Sequence, residues 1–170
     1  MALINKHIIE PHEIELYARP CQADENIALR AIEEAEMLDI KPALGDALFY
    51  KLQNTVTYNR LMEGGTYEAC GETRTFAGLK RTLAYYAWAR LVNSATHHIT
   101  RYGFVEKNSE YSRTVDLKER QQAIGDATAI ANDYMKECLR YIDANPSIFA
   151  EYAGQGEIKA NKTTFKIIGD

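Results

Sequence analysis

FAGLKRTLAYYAWARLVNSATHH, Phe76 to His98, decides the class of this chain. Leu79, Leu83, Tyr86, Ala87 and Leu91 recur at the three-and-four spacing of one buried helical face. Tyr85 and Trp88 spread apolar surface onto its flanks. A helix that is apolar on several sides has to be covered on several sides, so this segment is expected at the centre of a mainly α fold. His97 and His98 read as its polar end, where the helix favours positive charge. Side chains of neighbouring residues point about 100° apart on a helix, which keeps the two rings from sharing one ion.

Downstream comes RYGFVEKNSEYSRTVD, Arg101 to Asp116, a polar link that is nearly neutral in charge. Helix–helix connections usually take about two to eight residues, so this one is long. Its Tyr102, Phe104, Val105, Tyr111 and Val115 argue for an ordered loop that meets something. Phe104-Val105 and Tyr111 to Val115 are expected to pair as a hairpin around Lys107 to Glu110, although that turn has no glycine. The longest helix follows, from Asp116 to Asn145. Asp116 and Glu119 have the spacing of a capping box, and Leu117, Ile124, Ala127, Ala131, Tyr134, Cys138 and Ile142 form its apolar face. Roughly 28 residues would span about 42 Å. Ala123, Ala127 and Ala131 let another helix come close, and Asn145-Pro146 stops the run.

Upstream, Met1 to Ile9 is short and β-prone, Pro11 ends it, and Ile14, Leu16 and Tyr17 make a brief apolar patch. A helix from about Asp24 to Leu38 follows. Asp24 is its cap, Ile27, Ala28, Ala31, Ala35 and Leu38 its inner face, and Glu25, Arg30, Glu33, Glu34 and Glu36 its wet side. A second helix is expected to start near Pro42, with Leu44, Leu48 and Leu52 inward. A short third helix covers Tyr58 to Met62 and closes at Gly64-Gly65. GGTYEACGETRT then reads as a loop. The sum is a helical bundle of about four to five helices. Residues 1–153 form the body, with a long interhelical loop at 99–115.

Residues 154–170 differ in kind. They hold two early glycines, no helical period and a β-prone run in which Thr163, Phe165 and Ile167 alternate with Thr164, Lys166 and Ile168. Extended, such an arm reaches on the order of 55 Å. A lone strand is not stable, so this arm is expected to pair with a sheet elsewhere.

Composition narrows the function. The chain has 170 residues, 46% hydrophobic and 26% charged, which suits one packed domain without disulfide or metal staples. A net charge of −4 argues against a dedicated nucleic-acid binder. Cys21, Cys70 and Cys138 form no CxxC pair and point to a reducing compartment. No apolar run has the length of a membrane span, and the acidic start does not read as a signal peptide, so a soluble protein made in a cytoplasm is expected. No catalytic or metal-binding constellation assembles. His12-Glu13 lies between prolines, the glycines lack a phosphate-loop context, and Cys138 falls on an apolar face where a buried thiol is inert. The expectation is a protein that is not an enzyme and needs no cofactor.

The order of parts resembles the head–tail connector proteins of tailed bacteriophages, of the adaptor or head-completion type, as found in phages of Bacteroidetes. The residues that carry the likeness are EAEMLDIKPALGDALFYKL (Glu34 to Leu52), YNRLMEGGTY (Tyr58 to Tyr67), FAGLKRTLAYYAWARLV (Phe76 to Val92) and TRYGFVEKNSEYSRTVD (Thr100 to Asp116). With the last helix they cover most of positions 24 to 145.

The resemblance implies a virion structural protein: a helical subunit of a ring, usually twelve-fold, under the portal at the capsid vertex. It implies as partners the portal protein, further copies of the chain, another neck or tail protein, and genomic DNA that passes without sequence-specific binding. A C-terminal arm that reaches the portal corresponds here to Lys162, Thr164, Phe165, Lys166, Ile167 and Ile168. A loop that lines the channel or meets a neighbour corresponds to Arg101, Tyr102, Phe104, Lys107, Glu110, Tyr111 and Arg113. Twelve copies at −4 each carry about −48, which keeps DNA from sticking in a channel. The competing expectations are a stopper or tail-completion subunit, which would be richer in β structure, a helical interaction protein acting as monomer or dimer outside a virion, and a metal enzyme using His97 or His98.

Overall fold

The structure, a computed structural model, describes residues 7–54, 58–94, 97–100, 103–106 and 117–152, with the backbone path alone for 53–54, 97–100 and 103–106. It is mainly helical. The first helix, α1 (Pro11–Tyr17), begins where the sequence suggested a stop. Pro11 sits in the first turn, where its missing N–H costs nothing. The Glu10 N–H donates to Glu13 Oε2 at 2.8 Å and the Glu13 N–H to the Glu10 carbonyl at 2.9 Å, which closes that turn. Ile14 is fully buried while Leu16 points out, so the apolar patch divides between core and solvent.

Helix α2 (Glu25–Ala35) is capped as expected, with Asp24 Oδ1 accepting the Asn26 N–H at 2.9 Å. Ala28, Ala31, Ile32 and Ala35 are buried. The next residues depart from the expected periodicity. Glu36–Ile40 form a π turn in which the Lys41 N–H donates to the Glu36 carbonyl, five residues back. Pro42 supplies the physical reason: it has no N–H, and its ring clashes with the carbonyl four residues before it, so a regular α turn cannot continue there. The wider turn carries Leu38 out (62% exposed), whereas Glu36, whose N–H still bonds the Ile32 carbonyl, stays on the face of buried Ala28 and Ile32 (2% exposed); both placements reverse the expected ones.

The single helix expected from Pro42 is two, α3 (Lys41–Leu44) and α4 (Asp46–Asn54). Gly45 between them has φ +79°, a left-handed conformation that breaks the run. Leu44, Leu48 and Leu52 are all buried nonetheless. Helix α5 (Asn59–Glu63) ends at Gly64, as its sequence suggested.

GGTYEACGETRT is not a loop. It is an antiparallel hairpin of β1 (Gly65–Ala69) and β2 (Glu72–Phe76), in register from Gly65↔Phe76 to Ala69↔Glu72. Its two turn residues, Cys70 and Gly71, both have positive φ (54° and 79°), as a tight hairpin turn with the twist of its strands requires. The hairpin is anchored by Tyr67 and Phe76; Thr73, Arg74 and Thr75 are exposed. Gly64 and Gly78 then cross in contact. A Cβ on Gly78 would lie 2.5 Å from the Gly64 nitrogen, and both residues have positive φ.

Helix α6 (Leu79–Ser94) is the central element, packed on α1, α2, α5 and α7. Leu79, Thr82, Leu83, Ala84 and Ala87 are buried and Tyr85 and Trp88 half-buried, so apolar residues lie on several sides. It stops at Ser94. His97 and His98 belong to β3 (His97–Thr100), not to a helix end, and β3 pairs antiparallel with β4 (Gly103–Glu106). Phe104 stands opposite Ile99 and Val105 opposite His98; the hairpin expected around Lys107 to Glu110 lies, from Lys107 onward, outside the described residues.

Helix α7 (Leu117–Ala144) is 28 residues long, matching its sequence reading. Ala127, Ala131, Cys138 and Ile142 are buried as the spacing expects, whereas Leu117 is 57% exposed. Its contacts run backwards along α6. Thr82 Oγ1 lies 3.8 Å from Cys138 Sγ, the Tyr85 and Tyr134 rings meet edge to face, and the Tyr86 hydroxyl donates to Asn132 Oδ1 at 2.7 Å. The two helices are thus antiparallel. Asn93, in the last turn of α6, shares a recess with Ile124, so residues 117–123 overrun that end by about 10 Å. Past α7 the chain bends at Asn145, whose Nδ2 donates to the Tyr141 carbonyl at 2.8 Å, and Phe149 folds back into the core.

Candidate functional site

The antiparallel α6–α7 pair gives the molecule two ends. At one, α6 finishes at Ser94 and α7 starts at Leu117, so the whole interhelical link leaves and returns there. The link is built in part as the β3–β4 hairpin, on which Phe104 is the second residue of β4. Arg101, Tyr102, Lys107, Glu110, Tyr111 and Arg113 lie outside the described residues, as does the Asp116 cap. Leu117, exposed at the start of α7, adds apolar surface at this end.

At the other end, the close of α7 meets the β1–β2 hairpin and the returning chain in an aromatic cluster. The Phe76 and Tyr141 rings stack at 4.3 Å, Tyr67 meets Tyr141 edge to face at 5.2 Å, and Phe149 stacks on Tyr58 at 5.4 Å. Ring pairs in these geometries contribute about 0.5–1.5 kcal/mol each beyond their buried area. Glu151 fastens the returning chain. It pairs with Lys51 Nζ and accepts from the Tyr58 hydroxyl at 3.4 Å, and the Lys51 contact holds its carboxyl below the ordinary range. The chain leaves this end at Tyr152. The arm residues Lys162, Thr164, Phe165, Lys166, Ile167 and Ile168 lie outside the described residues.

Beside this cluster, Tyr58, Leu61, Tyr67, Tyr141, Ile148 and Phe149 line an open groove of about 540 Å³, with Arg60, Thr66, Glu68 and Asn145 at its rim. The sequence does not announce this groove, because it depends on β1, whose composition reads as loop. The signal that marks the strand is Cys70-Gly71 between two runs of alternating Thr, Tyr and Glu.

Between the two ends, charged side chains tie the helices together. Lys80 Nζ lies 2.7 Å from Glu63 and 3.3 Å from Glu13, and its pKa is raised, chiefly by the Glu63 hydrogen bond. Arg90 grips Asp39 Oδ2 with Nε at 3.0 Å and Nη2 at 2.7 Å. Glu36, in the π turn, accepts the Ile8 N–H on one carboxylate oxygen at 2.6 Å and His7 Nδ1 on the other at 2.9 Å. Burial raises its pKa against the pull of those two donors, and Glu33 adds to the rise. Among the described residues no group of three or more His, Cys, Asp or Glu is placed to hold a metal, and no helix is long and apolar enough to cross a membrane.

Residues 40–162 match the model of a family of unknown function (DUF6712). The chain belongs to that family. The matched span begins in the π turn and takes in α3 to α7, both hairpins and the aromatic end, so both candidate ends lie within it. It leaves out α1 and α2, which cover α6 from the other side. No curated protein and no solved structure matches the chain.

Proposed function

We propose that this chain is a structural subunit of a tailed-phage virion: a ring-forming adaptor at the portal vertex that joins the capsid portal to the neck or tail and extends the DNA channel. The observation that carries the reading is the division of labour along α6–α7. One end issues a link of more than twenty residues, the part the role assigns to a channel or a neighbour; at the other the described chain ends at Tyr152, before the arm that the role assigns to the portal. Three of the stretches that resemble phage connectors fall on α2 to α4, on α5 and β1, and on α6; the fourth includes β4, and its other residues apart from Thr100 lie outside the described ones.

Ring contacts are heterologous, one face meeting a different face, and they close because the rotation closes. A body with α6 enclosed and α1, α4 and α7 outside it has distinct faces to offer. The ring carries strong negative charge, so DNA passes without the counterion release that drives binding. The arm adds a strand to a sheet of the portal protein, with Phe165, Ile167 and Ile168 as anchors. The subunit acts in the virion, at the head–tail junction, after assembly in the bacterial host cytoplasm.

Co-purification with the portal protein of the same genome tests this, using the full chain and a version ending at Ala153. Capture by the full chain alone supports the role and the arm contact. Capture by both keeps the role and moves the contact to the helical body. Capture by neither, with portal already assembled into rings, removes the role and leaves a helical interaction protein acting as monomer or dimer.

A further inference from the structure

Strand β1 has a second edge, and its chemistry is defined. In a hairpin closed by a two-residue turn the flanking pair, here Ala69↔Glu72, exchanges hydrogen bonds, and inward and outward pairs then alternate. Gly65, Tyr67 and Ala69 turn their backbone groups towards β2, while Thr66 and Glu68 turn theirs away. The contact between Arg60 Nη2 and the Thr66 carbonyl fits this, since that carbonyl is engaged from outside the hairpin. The outward edge runs along the rim of the aromatic groove, which Thr66, Tyr67 and Glu68 line in succession. A backbone edge beside an apolar trough is the arrangement that accepts an added strand: main-chain groups bind it and alternate side chains fill the trough.

We infer that this groove docks the chain's own C-terminal segment, Thr163 to Ile168, as a third strand on the outer edge of β1. Three observations and the small cost of closing a short loop select that occupant. The last described residue, Tyr152, donates its N–H to the carbonyl of Phe149, which lines the groove, so the chain departs from the groove wall. Ten residues separate Tyr152 from Thr163. They span up to about 33 Å when extended, ample to return to a neighbouring strand. The entropy of closing so short a loop is small, because it grows only with the logarithm of length, whereas a separate molecule also loses translational freedom. The segment's alternation matches the two faces of β1. Docked in this way, Phe165 and Ile167 would lie on the side of buried Tyr67, over the trough, and Thr164, Lys166 and Ile168 on the side of exposed Thr66 and Glu68, which would set Lys166 against the Glu68 carboxylate.

This docking goes beyond the adaptor role and stands or falls without it. Should the same segment also serve a portal, the groove is where it waits.

Hydrogen exchange on the isolated full chain is the test, comparing the natural sequence with Phe165→Asp/Ile167→Asp. In the natural chain the Thr66 and Glu68 amides, and amides within Thr163–Ile168, exchange slowly. The variant keeps its helical circular dichroism and exchanges at both places about tenfold faster, as for a segment docked nine-tenths of the time. Equal exchange of the β1 amides in the two chains overturns the inference. So does a natural tail with no protection of its own. Protection that grows with protein concentration overturns it too, because the strand would then come from a second copy.

Discussion

Glu36 is the described residue whose role the sequence conceals most fully. Its charge, in a run with Glu33 and Glu34, assigns it to solvent, yet it is buried and both its carboxylate oxygens are occupied by the segment before α1. Glu36→Ala strands the buried Ile8 N–H and is expected to cost about 1–3 kcal/mol in urea unfolding, while Glu36→Gln keeps an acceptor and costs less. The pH dependence has a definite sign. A carboxyl whose pKa is raised in the native state holds its proton more tightly there than in the unfolded chain. Its contribution to stability therefore grows as pH falls from the raised value towards the ordinary carboxylate range, and is lost as pH rises. The stability of the natural protein relative to Glu36→Gln should accordingly increase on acidification through that window, as paired denaturation curves would register. The cysteines divide just as sharply. Cys70 is exposed at a hairpin tip, whereas Cys138 is buried and its thiol pushed up to about 11. A thiol reagent at pH 8 should modify Cys70 within the native protein and reach Cys138 only on unfolding, as a peptide map of the labelled sites would show.

At the scale of elements, legibility follows from how much of a signal is local. Helices α2, α6 and α7 repeat their apolar residues over several turns, and their cores were read correctly at Ala28, Leu83, Ala131 and Cys138. Leu38 turned out because a single proline downstream widened one turn, which nothing within α2 announces; Glu36 turned in because it follows Ala28 and Ile32 at four-residue spacing, a signal its charge concealed. The β1–β2 hairpin buries only Tyr67 and Phe76, so its strands have too little hydrophobic alternation to stand out from a loop. His97 and His98 continued a helical pattern in sequence and joined a strand in space, because pairing with β4 supplies their backbone bonds. The Gly64–Gly78 crossing was invisible for a similar reason, since it joins two elements fourteen positions apart. Gly78→Ala should cost about 2–4 kcal/mol, combining a strained left-handed alanine with backbone overlap. Gly125→Ala, with open space around its position on α7, is the matched control and should stabilise slightly in the same thermal melts.

At the scale of the whole molecule, the aromatic end fastens three parts of the chain that are remote in sequence. Tyr141→Ala removes a ring in contact with Tyr67, Phe76 and Phe149 at once and should cost about 3–5 kcal/mol, with early loss of hairpin protection in hydrogen exchange. The candidate interfaces were legible as compositional oddities, a long polar link and a β-prone tail. What composition did not contain is their separation, because that depends on α6 and α7 running in opposite directions.

The overrun of α7 has a further consequence. Leu117, Lys118, Glu119, Gln121 and Gln122 are exposed, so the first two turns carry almost none of the core. Adding or removing two helical turns there would move the start of the link by about 10 Å and ask no buried side chain to repack. That stub is a ruler: a change in its length resets the reach of the link in whole turns and leaves the rest of the design untouched.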